Sequence, residues 1–408
     1  MSSQVLINRA QSIWQRVAAI EAAALAAALT FAMVMGTVFV DEVTTSRLAP
    51  VFSLFLVIQV LLIPRLFFCV EFILYQLFTG YMFLTMLWTP DAVLGMNTLF
   101  PAVDFVLIQI IMGSLVRFSD ARAVLLGTLI GLWAGSGILT YTVGFPLVLP
   151  RELSYNGVAA IYLYGLYVAL MLTCLTRRKW LLIVAALLAM AHIVATTSIK
   201  TNLGVLLGGF AAFIVYFRES LRLLRRHLLM LLLGLCLIGY FVAWSDLAVK
   251  GLARGVDRVS LGVNVLQTRE DKAGYEGFEE RAYWARQGLK GWANNPLFGH
   301  GVEAFRAKYG ITSHSVPIDL LYNTGVIGLL LFYGVYASLV WRLFRSGASP
   351  SARALTLAVV VCNVFMSFSG TLFYQTFLAG SIAIGAALME RPDKPGRADP
   401  LRSARGFT

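Results

Sequence analysis

Long apolar runs separated by short polar breaks fill most of the chain. They fall at approximately 18–40, 48–64, 66–88, 96–116, 123–144, 155–175, 180–197, 201–217, 228–246, 315–341, 354–371 and 373–389. Each is near the roughly 20 residues that a helix needs to cross a bilayer. The pattern predicts an all-α polytopic membrane protein of about 12 transmembrane helices, in which the second and third runs are close enough to form one re-entrant pair. One polar segment, 245–314, breaks the rhythm. Within it, Phe278, Ala282, Ala285, Leu289 and Trp292 recur at steps of four and three, the mark of an amphipathic helix over Gly277–Asn294. Asn294-Asn295-Pro296 should end that helix, which is expected to lie on the outer leaflet. Gln267–Gly277, rich in charge and glycine, reads as a mobile connector.

The cations set the orientation. Arg9 and Arg16, Arg65, Arg117 and Arg122, Arg177-Arg178-Lys179, Arg218 to Arg226, Arg342 to Arg353 and the tail after Glu390 fall on alternate, short loops of one side. By the positive-inside rule that side is the cytoplasm, and both termini lie on it. Four regions follow: spans one to nine in 1–244, an external loop in 245–314, spans ten to twelve in 315–390, and a basic cytoplasmic tail in 391–408. The first run reads as a retained span rather than a signal peptide.

Composition agrees: 59% hydrophobic residues, 13% charged and a mean hydropathy of +0.76 exclude an ordinary soluble domain. The net charge of +12 is largely carried by cytoplasmic loops, so membrane lipids, not nucleic acid, are the expected polyanion. The long loop is the exception. The rule does not count it, and its many Arg and Lys ask for an external anionic partner. Cys69, Cys174, Cys236 and Cys362 all fall in apolar runs, where they read as small buried hydrophobes. No Cys or His pair has metal-ligand spacing, and no metal or cofactor is expected.

Arg281-Ala282-Tyr283-Trp284 precedes Asn295-Pro296-Leu297-Phe298-Gly299-His300-Gly301. His314 follows, and then Gly325-Val326-Ile327-Gly328-Leu329-Leu330-Leu331-Phe332. Over about 277–335 this order resembles the signature of the O-antigen ligase/polymerase superfamily of bacterial envelope glycosyltransferases. Two positions depart from the family pattern: Ser315 stands where an Asn usually follows the His, and Lys200 where an Arg is common. The Lys keeps the charge but loses the bidentate fork.

The resemblance implies a GT-C-like enzyme of the Gram-negative inner membrane, with its active site on the periplasmic face. It would move a glycan from undecaprenyl diphosphate to a lipid A–core sugar hydroxyl by metal-independent, inverting displacement. His314 would be the general base, a role that suits an imidazole near neutral pH. Arg281 and Lys200 would hold the diphosphate, with Arg151, Arg254 and Arg258 as further cations. Asp319, His300 and Asn202 would support them. Arg269, Arg286, Arg306 and Lys308 read as solvated or lipid-facing groups that together draw in acidic headgroups. His192 reads as a packing histidine and His227 as uninvolved. Glu71 and Asp104 are expected to pair with external cations or to support packing. An O-antigen polymerase or a protein O-oligosaccharyltransferase would use the same donor. A lipid-linked sugar transporter is the rival of another class, though it would spread charges through the span interiors.

Overall fold

A computed structural model of the chain describes residues 3–38, 42–143, 155–176, 178, 180–195, 199–218, 272–368 and 376–390, with a few isolated positions between 221 and 236. All its regular elements are helices. They are α1 (Ser3–Val38), α2 (Glu42–Leu62), α3 (Val70–Thr85), α4 (Ala92–Phe118), α5 (Ala121–Val143), α6 (Tyr155–Thr176), α7 (Trp180–Ala195) and α8 (Ile199–Val215). After the undescribed stretch come α9 (Lys272–Trp292), α10 (Ala304–Tyr309), α11 (Val316–Arg345), α12 (Pro350–Ser367) and α13 (Thr376–Glu390). Every expected span except the ninth, 228–246, coincides with one of these helices; the ninth lies outside the described residues apart from two isolated positions. Among the described residues, five helices are long and apolar enough to cross a membrane, at Gln11–Met35, Ala92–Phe118, Ala121–Thr142, Val316–Arg345 and Pro350–Ser367. The second and third runs form two separate helices, α2 and α3.

Small residues let these apolar helices approach closely, as they do wherever packing rather than water drives association. Gly127 and Gly131 of α5 abut the backbone of Ala23 and Ala27 of α1, and Gly208 of α8 abuts Ala358 of α12. Helix α13 is buried from Phe377 to Met389 and packs against α4 and α6. An aromatic core joins α3, α4 and α11: Tyr75 stacks on Phe105 at 4.0 Å, and Phe78 tilts onto Phe332 at 5.5 Å. The outward faces stay apolar, with Ile130, Leu206, Phe210 and Leu330 all exposed. A soluble protein does not display such a surface, and lipid requires it.

Glu71 begins α3 wholly buried. Arg342, near the end of α11, donates through Nε to its Oε1 at 3.0 Å. Nη2 lies 2.9 Å from Oε2, a charge contact without hydrogen-bond alignment, and Nη1 also pairs with Glu390. Of the two expected roles, pairing and packing, Glu71 takes the pairing one, with Arg342, a residue that the charge pattern assigns to the cytoplasmic side. Arg342 sits at the opposite end of α11 from His314. Asp104 instead serves packing, accepting from Ser53 Oγ of α2 at 2.6 Å.

Arg342→Met should therefore leave a buried, uncompensated Glu71 and cost about 3–5 kcal/mol. The double variant Glu71→Leu/Arg342→Met should recover most of that loss in thermal unfolding of the detergent-solubilised protein. A single variant as stable as the wild type would show that the pair is dispensable.

Candidate active site

The amphipathic periodicity after residue 277 is met by α9, which starts earlier than expected. Its backbone is already helical from Lys272, so the second half of the expected connector is helix. Gly288 abuts Ile318 and Gly291 abuts Tyr322, so α9 and the first turns of α11 run alongside each other in the same direction. The smooth face of α9 is thus spent on α11, while Tyr283 and Leu289 stay exposed.

The chain then folds back in a strap, 293–303, against a break in α11. Gly325 adopts φ 65°, ψ −167° inside that helix. Such a break frees the carbonyls of Tyr322 and Asn323 and the N–H groups of Val326 and Ile327, which would otherwise pair with each other four residues apart. The strap satisfies all four. His300 N donates to Tyr322 O and Gly301 N to Asn323 O, each at 2.9 Å. Val326 N donates to Pro296 O at 2.9 Å and Ile327 N to Leu297 O at 3.4 Å. Glycine is required at this contact. Gly325 and Gly299 (φ 68°) are both left-handed, and a Cβ on Gly299 would lie 2.5 Å from the Asn323 carbonyl.

Side chains pin the strap further. His300 Nε2 donates to Gly291 O at 2.8 Å, which fixes the tautomer and leaves Nδ1 to face Asn295 Nδ2 at 3.4 Å. Its ring lies 4.6 Å from that of Tyr322. His300 thus holds the strap through Gly291 and Tyr322. Asn323 Oδ1 accepts from Phe305 N at 2.8 Å, and Trp292 Nε1 donates to Pro296 O at 2.9 Å. From the other side, Thr89 Oγ1 donates to Val302 O at 2.5 Å, and Val302 N donates to Thr85 Oγ1 at 3.2 Å.

His314 sits in the turn that opens α11, half-buried, with φ 59°. Its neighbours are tied down. Ser313 N donates to Asp319 Oδ1 at 2.9 Å, Asp319 N to Ser315 O at 2.9 Å, and Ser313 Oγ to Ser315 O at 2.9 Å. Asp319 thus acts on the backbone on both sides of His314, and its Oδ2 is buried without a hydrogen bond. Arg281 is exposed on α9, seven residues before Gly288 and so on the same face. At 1.5 Å per residue it stands about 10 Å above the Gly288–Ile318 contact, at the His314 end of the helix pair.

Lys200 and Asn202 lie in the first turn of α8, where the backbone alone is described. Arg151, Arg254 and Arg258 lie outside the described residues, as does His227; the side chain of His192 does too. Glu303 carries no signal in the sequence, because it ends the strap as an isolated acid. It is nonetheless buried in a left-handed conformation (φ 59°), accepting from Thr98 Oγ1 at 2.7 Å. A separate cavity of about 640 Å³ opens between α6, α8, α12 and α13, lined by groups such as Tyr164, Tyr167, Leu355 and Met366. None of the strap residues lines it.

A family model described as O-antigen ligase matches residues 184–333. The matched stretch begins within α7 and ends in α11 beyond the break, and it contains Lys200, Arg281, the whole strap, His314 and Gly325. Over that stretch the chain is similar to the family, which supports the resemblance drawn from the motifs. Among curated proteins, none matches the chain.

Gly325→Ala should cost about 1–3 kcal/mol in backbone strain alone and should expel the strap as well, because its Cβ would meet the Leu297 carbonyl. Gly334→Ala, whose nearest neighbour would be Leu74 at 3.6 Å, is the matched control and should be neutral or slightly stabilising. Thermal unfolding with limited proteolysis across 293–303 separates the two. Burial raises the Glu303 carboxyl above the ordinary glutamate range, against the Thr98 hydrogen bond and the Arg306 charge. The folded state then holds this proton more tightly than the unfolded chain. The linked stability is present below about pH 4.3 and is lost as pH rises through the raised value. Glu303→Gln should therefore melt higher than wild type at alkaline pH and show a flatter pH profile.

Proposed function

We propose that this chain is an O-antigen ligase of the bacterial inner membrane. It transfers polysaccharide from undecaprenyl diphosphate to a sugar hydroxyl of lipid A–core at the periplasmic face. The observation that carries the reading is the strap-and-break assembly. Within the stretch that matches the ligase family, it braces the helix whose mouth carries His314 in a left-handed turn, and α9 brings Arg281 toward the same end.

In the reaction, the acceptor hydroxyl attacks the anomeric carbon and gives its proton to the His314 imidazole. The bond from that carbon to the diphosphate oxygen breaks with inversion, and the diphosphate leaves as an anion. Arg281 and Lys200 meet that growing charge with charge-assisted hydrogen bonds, and no metal is needed for it. Arg151, Arg254 and Arg258 extend the cationic surface that draws the headgroup in. Asp319 holds the backbone around His314, and His300 holds the strap. Both lipid substrates enter sideways between the apolar helices, with both chain termini on the cytoplasmic side.

The test is transfer by the purified protein in nanodiscs, with lipid-linked O-polysaccharide and rough lipopolysaccharide, in the presence of EDTA. A ladder on the lipopolysaccharide is expected. His314→Ala should lower its rate by about 10²–10⁴-fold, the usual weight of a general base. Longer lipid-linked chains without a lipopolysaccharide product would replace the ligase by a polymerase. Donor binding without any covalent product would replace the enzyme by a carrier.

A further inference from the structure

Beside the main core lies a small aromatic one, made of Phe305 and Tyr322 with Trp284 and Tyr309 against them. Tyr309 is 4.7 Å from Phe305, 5.5 Å from Trp284 and 6.2 Å from Tyr322, measured between ring centroids. Three helices meet here: Trp284 comes from α9, Phe305 and Tyr309 from α10, and Tyr322 from α11 just before its break. The platform is stiff because Tyr322 also carries the His300 ring, which is hydrogen-bonded to Gly291.

Lys308 stands exposed on this platform. Its Nζ is 5.3 Å from the centre of the Tyr309 ring, with the Tyr322 phenol as a second polar neighbour. Those phenol oxygens, Tyr322 first, hold the ammonium above the usual lysine range. No carboxylate contributes, and among the described residues none pairs with Lys308. An exposed lysine ordinarily sweeps through many rotamers, and ordering it costs entropy at each encounter. Here that ordering is done in advance, and the charge is left uncompensated.

The surroundings name the ligand. A lysine ammonium has three N–H groups, and two tyrosine hydroxyls take at most two of them. At least one N–H therefore points outward beside the phenols, a donor set for an anionic oxygen. Arg281 lies one helical turn from Trp284, and Trp284 touches Tyr309. The two cations therefore flank one aromatic pair at the His314 end.

We propose that Lys308, seated against the Tyr309 ring, is a phosphate-binding subsite that acts beside Arg281 on a phosphate ester of the substrate. The subsite rests on the reading of the substrate as a lipid-linked glycan. The phosphate has two possible sources, the diphosphate of the donor and a phosphate carried by the acceptor sugars. The subsite chemistry is the same for both.

Titration calorimetry of the full chain in nanodiscs with inorganic pyrophosphate and geranylgeranyl diphosphate is the direct test. Lys308→Ala should weaken both about 10–100-fold, the weight of one charge-assisted hydrogen bond. Lys308→Arg should stay within a few-fold of wild type. Tyr309→Phe should fall between, because it keeps the charge and the ring contact but removes one polar neighbour. In transfer assays, a donor KM that rises in Lys308→Ala at constant acceptor KM assigns the subsite to the diphosphate. An acceptor KM that rises, and no longer does so with a dephosphorylated acceptor, assigns it to the acceptor. Wild type that binds neither probe, or Lys308→Ala that matches wild type in binding and in both KM values, overturns the proposal. Lys308-dependent pyrophosphate binding in a protein without transfer activity would keep the subsite and remove the ligase reading instead.

Discussion

Four backbone hydrogen bonds between the strap and the break in α11 hold the candidate site together. In an unbroken helix Val326 and Ile327 would donate to Tyr322 and Asn323. At Gly325 the chain turns away from helical geometry, and both pairs come apart. Four unpaired groups along a span would each cost several kcal/mol in an apolar medium. The strap removes that cost by offering two donors and two acceptors in matching order. Neither partner is stable alone: the break needs the strap, and the irregular strap needs a surface of exposed backbone.

The other parts of the site take their positions from this junction. Because His300 is stitched to Tyr322, the Tyr322 ring is fixed, and with it the platform beneath Lys308. Because Asn323 reaches the backbone of Phe305, α10 is held against α11, and the chain between them must deliver His314 to the start of the span. The site is also separated from the other polar centre of these helices. Glu71 and Arg342 lie at the far ends of α3 and α11, with the Tyr75–Phe105–Phe332 ring stack between. A low-dielectric layer thus insulates the two sets of charges from each other.

Much of this was legible in the sequence, for identifiable reasons. Apolar runs mark helices in lipid because backbone groups there must pair within their own segment. The Asn-Asn-Pro turn marks where α9 ends, but the break at Gly325 falls inside a run that reads as one continuous span, 315–341. How the two fit together was not legible, since pairing between 296–301 and 322–327 is a contact of backbone atoms and leaves no side-chain pattern. The same holds for Glu303 and Lys308, whose neighbours Thr98 and Tyr322 come from distant parts of the chain. The partner of Glu71 was not legible, because a charge at a span end gives no sign of which residue the antiparallel neighbour brings to it. Arg281 and His314 stood out through the family motif; the geometry adds that α9 and α11 run the same way and carry both to one end.

The order of the strap and the break along the chain has a consequence for biogenesis. The strap, at 293–303, leaves the ribosome before the helix it completes. When Gly325 enters the bilayer, the segment that will cap the loose carbonyls and N–H groups has already been made and needs only to fold back over a short distance. A span with a defect in its middle can therefore be inserted without waiting for later helices. The reverse order would leave that defect open to lipid until synthesis caught up.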